Sequence, residues 1–168
     1  MNRKILLIIL IILIIGNLGF TYYFGSSFGK SMDDTKNFED FDSGFVTKVI
    51  DGDTVIINGE SVRLLGIDAN EKGEKCYNEA KKRLEELVLN KEIKLERDNE
   101  NKDYYKRYLR YLIDNNENKK INVNLELVKE GLAIARFYEN EKYKQDILSA
   151  EKNARENKIG CKWKNIIG

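Results

Sequence analysis

The chain has 168 residues, with 29 Lys and Arg against 28 Asp and Glu, no histidine, no proline and two cysteines. A net charge of +1 is too small for the field of the whole molecule to gather a polyanion, so any nucleic-acid contact must come from a local group of Lys and Arg. The absence of histidine excludes His-based acid–base catalysis, Ser-His-Asp triads and His-ligated metals, which leaves hydrolysis to carboxylates, arginines or metal-bound water.

Arg3 and Lys4 precede an uncharged run from Ile5 to Gly29 that contains only Ile and Leu between Ile5 and Ile15. A bilayer span needs about 20 apolar residues. Ile5 to Phe24 supply them, with Tyr22 and Tyr23 at the end where amphipathic rings favour the interface. No Ala-x-Ala-like site follows, which favours an uncleaved transmembrane anchor over residues 1–29; a removed signal peptide and a secreted domain are the alternative. By the positive-inside rule the N-terminus is cytoplasmic and the rest of the chain faces outward. Residues 30–43, rich in Asp and Glu, predict a polar tether, and residues 44–168 one folded domain.

Within that domain, Phe45 to Ile50, Thr54 to Asn58 and Glu60 to Leu65 predict three strands, separated by Asp51-Gly52 and Asn58-Gly59. Asn-Gly suits a tight type I′ hairpin, and Asn115-Asn116 predicts a later turn. Tyr77, Ala80, Leu84, Leu87 and Val88 recur at helical spacing with charges between them, predicting one amphipathic helix. Glu92 to Glu96 and Tyr108 to Ile113 predict two more strands, on either side of a polar loop. A short helix from Asn124 to Glu130 stops at Gly131, and a last one carries Tyr143, Ile147, Ala150 and Ala154 toward Gly160. The pattern predicts an α+β domain: a five-stranded antiparallel OB-fold barrel with three helices, preceded by one N-terminal transmembrane helix.

Three segments carry polar residues that the strand pattern does not require. They are Asp51-Gly52-Asp53-Thr54-Val55, the run from Arg63 through Asp68 to Glu71, and Tyr104-Tyr105-Lys106-Arg107-Tyr108. Taken singly, they read as a turn, an edge charge and a basic surface loop. In this order, with Asn124 to Ala133 and a final helix leading to Trp163, they resemble the staphylococcal nuclease family over residues 45 to 164.

The resemblance implies a calcium-dependent, sugar-nonspecific endonuclease that hydrolyses phosphodiester bonds of DNA and RNA by metal-assisted attack of water. It implies Asp53, Asp68 and the backbone carbonyl of Ala69 as ligands of one Ca²⁺, for which hard oxygen donors are suited. Asp51 would support the metal without ligating it. Glu71 corresponds to the residue that activates or orients water, and Arg63 and Arg107 to the two that grip the scissile phosphate. Tyr105 and Tyr138 are expected to touch the nucleotide, whereas Tyr111 and Tyr143 suit the core. The family usually has Thr, Pro and Gly where this chain has Ala69, Asn70 and Lys106. A monomeric catalytic domain without organic cofactor is expected, held at the membrane by its N-terminal helix. The rival reading is an inactive OB-fold module that binds nucleic acid or protein at the membrane surface.

Cys76 and Cys161 are two free thiols in a reducing cytosol. Facing an oxidising exterior they could instead form a bridge, with a loop-closure contribution of about 4 kcal/mol.

Overall fold

The computed structural model describes Phe38 and residues 41–116, 119–138 and 142–164. The predicted transmembrane anchor and most of the tether lie outside the described residues. Among the described residues no helix is long and apolar enough to cross a membrane.

The elements follow in the order β1 (Ser43–Val49), β2 (Thr54–Ile57), β3 (Glu60–Leu64), β4 (Ile67–Ala69), α1 (Tyr77–Val88), β5 (Glu92–Glu96), β6 (Tyr108–Asn116), β7 (Lys119–Asn122), α2 (Val123–Lys129), β8 (Ala133–Ala135), α3 (Lys144–Glu156) and α4 (Gly160–Trp163). Asn58 and Gly59 both take positive φ, 50° and 87°. The resulting two-residue hairpin sets Ile57 opposite Glu60 and so fixes the β2–β3 register.

Sheet order β3-β2-β1-β5-β6 closes on itself through a β3–β6 pairing, making a five-stranded barrel with β7 as an extension. The closing pair is parallel, Val62 opposite Tyr108, which corrects the all-antiparallel expectation. The intervening α1 and β5 return the chain so that β6 meets β3 in the same direction. The expected turn at Asn115-Asn116 is also corrected: both residues lie in β6, paired with Lys120 and Lys119 of β7.

Val46, Val55, Ile57, Val62, Leu64 and Ile93 fill the barrel with essentially no exposure. Ala80, Leu84, Leu87 and Val88 close it from α1, and Leu127, Val128 and Ile147 from α2 and α3. Buried Asn124 fastens α2 to this base: its amide oxygen accepts from Leu112 N (3.0 Å) and its amide nitrogen donates to Leu65 O (2.9 Å). The ring of Tyr111 is fully buried against Tyr143, centroids 4.8 Å apart. Phe38 is also buried, against Tyr108 at 4.3 Å.

One polar cluster docks α3. Glu96 accepts from Lys142 Nζ at 2.6 Å and Tyr143 Oη at 2.7 Å, with Lys120 at 3.4 Å. Burial opposes its charge, but these partners outweigh burial and hold its pKa at about 2. A depressed carboxylate pKa gives stability that is present above the unfolded value, near 4.3, and is lost as pH falls toward about 2. Because the lysines are half exposed, solvent screening limits the expected loss in Glu96→Gln to about 1–2 kcal/mol at pH 7. Thermal melts from pH 7 to 2 should show that difference shrinking below pH 4.

Candidate active site

The turn between β1 and β2 builds the first part of the site. Asp51 Oδ1 accepts from Asp53 N at 3.0 Å, and Gly52 is needed between them because a Cβ there would lie 2.6 Å from that of Ala69 and 2.7 Å from that of Ala80. Burial pushes the Asp51 carboxyl above its ordinary value. Asp53, 5% exposed, accepts from Ala69 N at 2.9 Å and from Thr54 Oγ1 at 3.0 Å. The Asp53 carboxylate thus fastens β4 to the mouth of the barrel.

Pairing of β4 with β8 places Asp68 opposite Ile134. Arg63 projects from β3 between the two acids: Nη1 pairs with Asp53 Oδ1, and Nη2 donates to Asp68 Oδ1 at 2.8 Å and Ile67 O at 3.3 Å. Burial works against its charge, yet Asp53 and Asp68 together hold its pKa above the ordinary arginine value. Asp68 Oδ2 is taken by Arg136 Nη1 at 3.1 Å, and Asp68 raises the pKa of that guanidinium too.

Arg107 comes from the loop before β6. Asp103 grips it with 2.7 Å contacts to Nε and Nη2 and accepts from its backbone N at 2.9 Å, while Nη1 reaches Thr54 Oγ1 at 3.4 Å. Thr54 therefore joins Arg107 to Asp53. The loop turns at Lys106, whose φ is +67°. A side chain with a Cβ costs about 1 kcal/mol in that conformation, part of which glycine recovers. Lys106→Gly should raise stability by roughly 0.5 kcal/mol in denaturant titrations.

Arg63, Arg107 and Arg136 line one cleft of about 590 Å³, together with Tyr104, Tyr105 and Tyr138. The rings are 90%, 75% and 73% exposed. Tyr105 lies under the Arg107 guanidinium at 5.4 Å and Tyr138 beside that of Arg136 at 5.8 Å. Glu71 sits two residues past β4 on an exposed turn, and among the described residues its carboxylate has no hydrogen-bond or ion-pair partner. Cys76 and Cys161 are joined in a disulfide, Cα atoms 5.5 Å apart.

The structure thus groups Asp53, Arg63 and Asp68 tightly, brings Arg107 in through Thr54, and does not bring the Glu71 side chain into the lining of the cleft. Thr54, Asp103 and Arg136 were missed by sequence reasoning. Asp103 carried a signal, an acid four residues before a predicted phosphate-binding arginine; Arg136 carried only its nearness to Tyr138.

Among the described residues no group of three or more acidic or sulfur side chains gathers as a metal site. The donor chemistry nonetheless fits one hard divalent cation: the Asp53 and Asp68 carboxylates flank the Arg63 guanidinium, and Asp53 is nearly buried and oriented by two hydrogen bonds.

A closed OB-type barrel whose mouth gathers arginines, paired acids and exposed rings belongs to the class of small barrels that handle phosphate-bearing ligands. Residues 61–165 match the family model for staphylococcal nuclease homologues. The thermonuclease of Staphylococcus intermedius is 37% identical over 147 residues, 79% of this chain and 80% of the relative. That of Staphylococcus hyicus is 34% identical over 131 residues, 71% and 75%. An uncharacterised protein of Methanocaldococcus jannaschii is 37% identical over 151 residues, 73% and 72%. The chain belongs to the staphylococcal nuclease family.

Proposed function

We propose that the cleft is the catalytic centre of a calcium-dependent, sugar-nonspecific endonuclease acting on DNA and RNA. That the protein is a phosphodiester-hydrolysing nuclease follows from its thermonuclease and endonuclease relatives. The observation that carries the finer reading is the placing of Arg63 and Arg107 on one cleft with Asp53 and Asp68 at its edge.

Asp53, Asp68 and the Ala69 carbonyl would hold Ca²⁺, which supplies Lewis-acid polarisation of a phosphate oxygen. Arg63 and Arg107 then meet phosphate oxygens in the bidentate geometry that a planar guanidinium allows and offset charge developing at phosphorus. Arg107 is held ready by Asp103. Glu71 takes the proton of the attacking water or orients it. Tyr105 and Tyr138 offer faces for stacking bases, which gives contact without sequence preference.

Plasmid and RNA cleavage by the full chain, measured in Ca²⁺ and in EDTA, tests this reading. Activity should vanish in EDTA and return with Ca²⁺, and Asp53→Asn should lower cleavage at least about 100-fold at low Ca²⁺. A folded chain that binds single-stranded DNA but never cleaves it would establish the inactive binding module instead.

We also place the domain on the outer face of the cell membrane as a monomer, with residues 1–29 as anchor. The apolar run after Arg3 and Lys4 supports this. Protease added to intact cells should remove the domain, and a cytoplasmic domain would resist.

A further inference from the structure

The segment that carries Glu71 is fastened at both ends to the same short helix. It runs from Asn70 to Cys76, between β4 and α1, and Glu71 to Lys75 are all exposed. Its internal bonds are few: Glu71 N donates to Glu74 Oε2 at 2.9 Å and Glu74 N to Glu71 O at 3.0 Å. At its start, Asn70 Oδ1 accepts from Lys162 Nζ, while the Asn70 amide nitrogen donates to Lys75 O and draws the loop closed. At its end, Cys76 is bonded to Cys161. Lys162 and Cys161 are neighbours in α4.

The short helix is itself held firmly. Gly131 and Gly160, both at positive φ, pack backbone on backbone so closely that a Cβ on Gly131 would lie 1.9 Å from Ile159 O. Lys162 N donates to Gly131 O at 3.1 Å, and Arg155 covers the Trp163 ring at 5.0 Å. Burial lowers the pKa of half-buried Lys162, against the opposing pull of Asp68 and Glu74. Its ammonium donates to Asn70 Oδ1.

We propose that Lys162 is a positioning residue for the Glu71 turn and that the Cys76–Cys161 disulfide is the second anchor of the same clamp, so that reducing the bond loosens the site. Two anchors on one rigid helix determine where the turn lies, which internal bonds alone would leave free to pivot. The inference rests on Glu71 acting on the attacking water. Misplacing such a group by about 1 Å can cost about 100-fold in rate.

The test compares the full chain in detergent with Lys162→Met, Asn70→Ala, their double variant, Lys162→Arg and Cys76→Ser/Cys161→Ser. The parent is also treated with dithiothreitol, which leaves two thiols and the cyclic disulfide of the reagent. Two readouts are taken: amide hydrogen exchange, and kcat and KM on single-stranded DNA in Ca²⁺.

Lys162→Met and reduction should each speed exchange at Glu71, Glu74 and Tyr77 at least about tenfold, while the barrel amides stay protected. Each should also lower kcat about tenfold or more at nearly constant KM. Because the Lys162 bond ends on Asn70, which also holds Lys75 O, the double variant should be no worse than Asn70→Ala alone, and Lys162→Arg should recover most of the rate. Unchanged exchange in the turn, or a rise in KM alone that places Lys162 on substrate, would overturn the clamp. The exchange readout needs no cleavage, so an inactive parent would refute the nuclease mechanism and still decide the clamp.

Discussion

Arg63→Ala should lower DNA cleavage by about 1,000-fold and, in the same protein, tighten Ca²⁺ binding. The two effects have one cause. The Arg63 guanidinium sits between Asp53 and Asp68 and pairs with both, so it shares their oxygens with any cation that enters. Removing it deletes the donor that meets the phosphate, strips Asp53 of its ion pair and leaves Asp68 with Arg136 alone. Without Arg63, Asp53 is a nearly buried charge that keeps its hydrogen bonds from Ala69 N and Thr54 Oγ1 but has no ion pair, and breaking such a pair costs about 3–5 kcal/mol. The variant should therefore melt well below the parent in EDTA and recover much of the difference in Ca²⁺, by mass action on the folded state. Calorimetric titration and melts with and without Ca²⁺ measure both halves. Arg63→Lys should keep the charge and most of the stability but recover little rate, since an ammonium cannot present two parallel donors. Cleavage by Arg63→Ala within about tenfold of the parent would remove Arg63 from the phosphate site.

Much of the fold was legible because it rests on short-range rules. The Asn58-Gly59 hairpin, the three strands around it and the apolar stripe of α1 each depend on residues within a few positions of one another, and local propensity agreed with tertiary packing. The three-residue strands β4 and β8 were not legible. Ile67–Ala69 pairs with Ala133–Ala135 across most of the domain, and no periodicity is readable in so short a run. The parallel β3–β6 closure is likewise a consequence of how α1 returns the chain.

The site divides in the same way. The motifs around Asp53, Arg63 and Asp68 were readable by type and order, but their partners were not. Thr54 bonds Arg107 across 53 positions and Lys162 bonds Asn70 across 92. Lys106 shows the intermediate case: its place in a basic loop before β6 was readable, whereas its backbone at φ +67° was not.

Glu71→Gln should separate chemistry from structure more cleanly than any other change. The side chain is exposed, and its carboxylate has no partner among the described residues; the turn uses the Glu71 backbone N–H and carbonyl instead. Glutamine keeps the shape and the backbone bonds but cannot take a proton. Melting temperature and Ca²⁺ affinity should stay at parental values, while kcat falls about 100- to 10,000-fold, the range a positioned general base supplies. KM should change little, because the arginines and rings that hold the substrate are untouched. Arg63→Ala and Glu71→Gln thus predict opposite patterns outside the rate itself. The first alters stability and metal affinity together with activity, as a buried charged partner must, whereas the second alters activity alone. A Glu71→Gln protein that cleaves at parental rate would leave water activation to the metal and the arginines, and the exposed turn held by α4 would then serve the fold rather than the reaction.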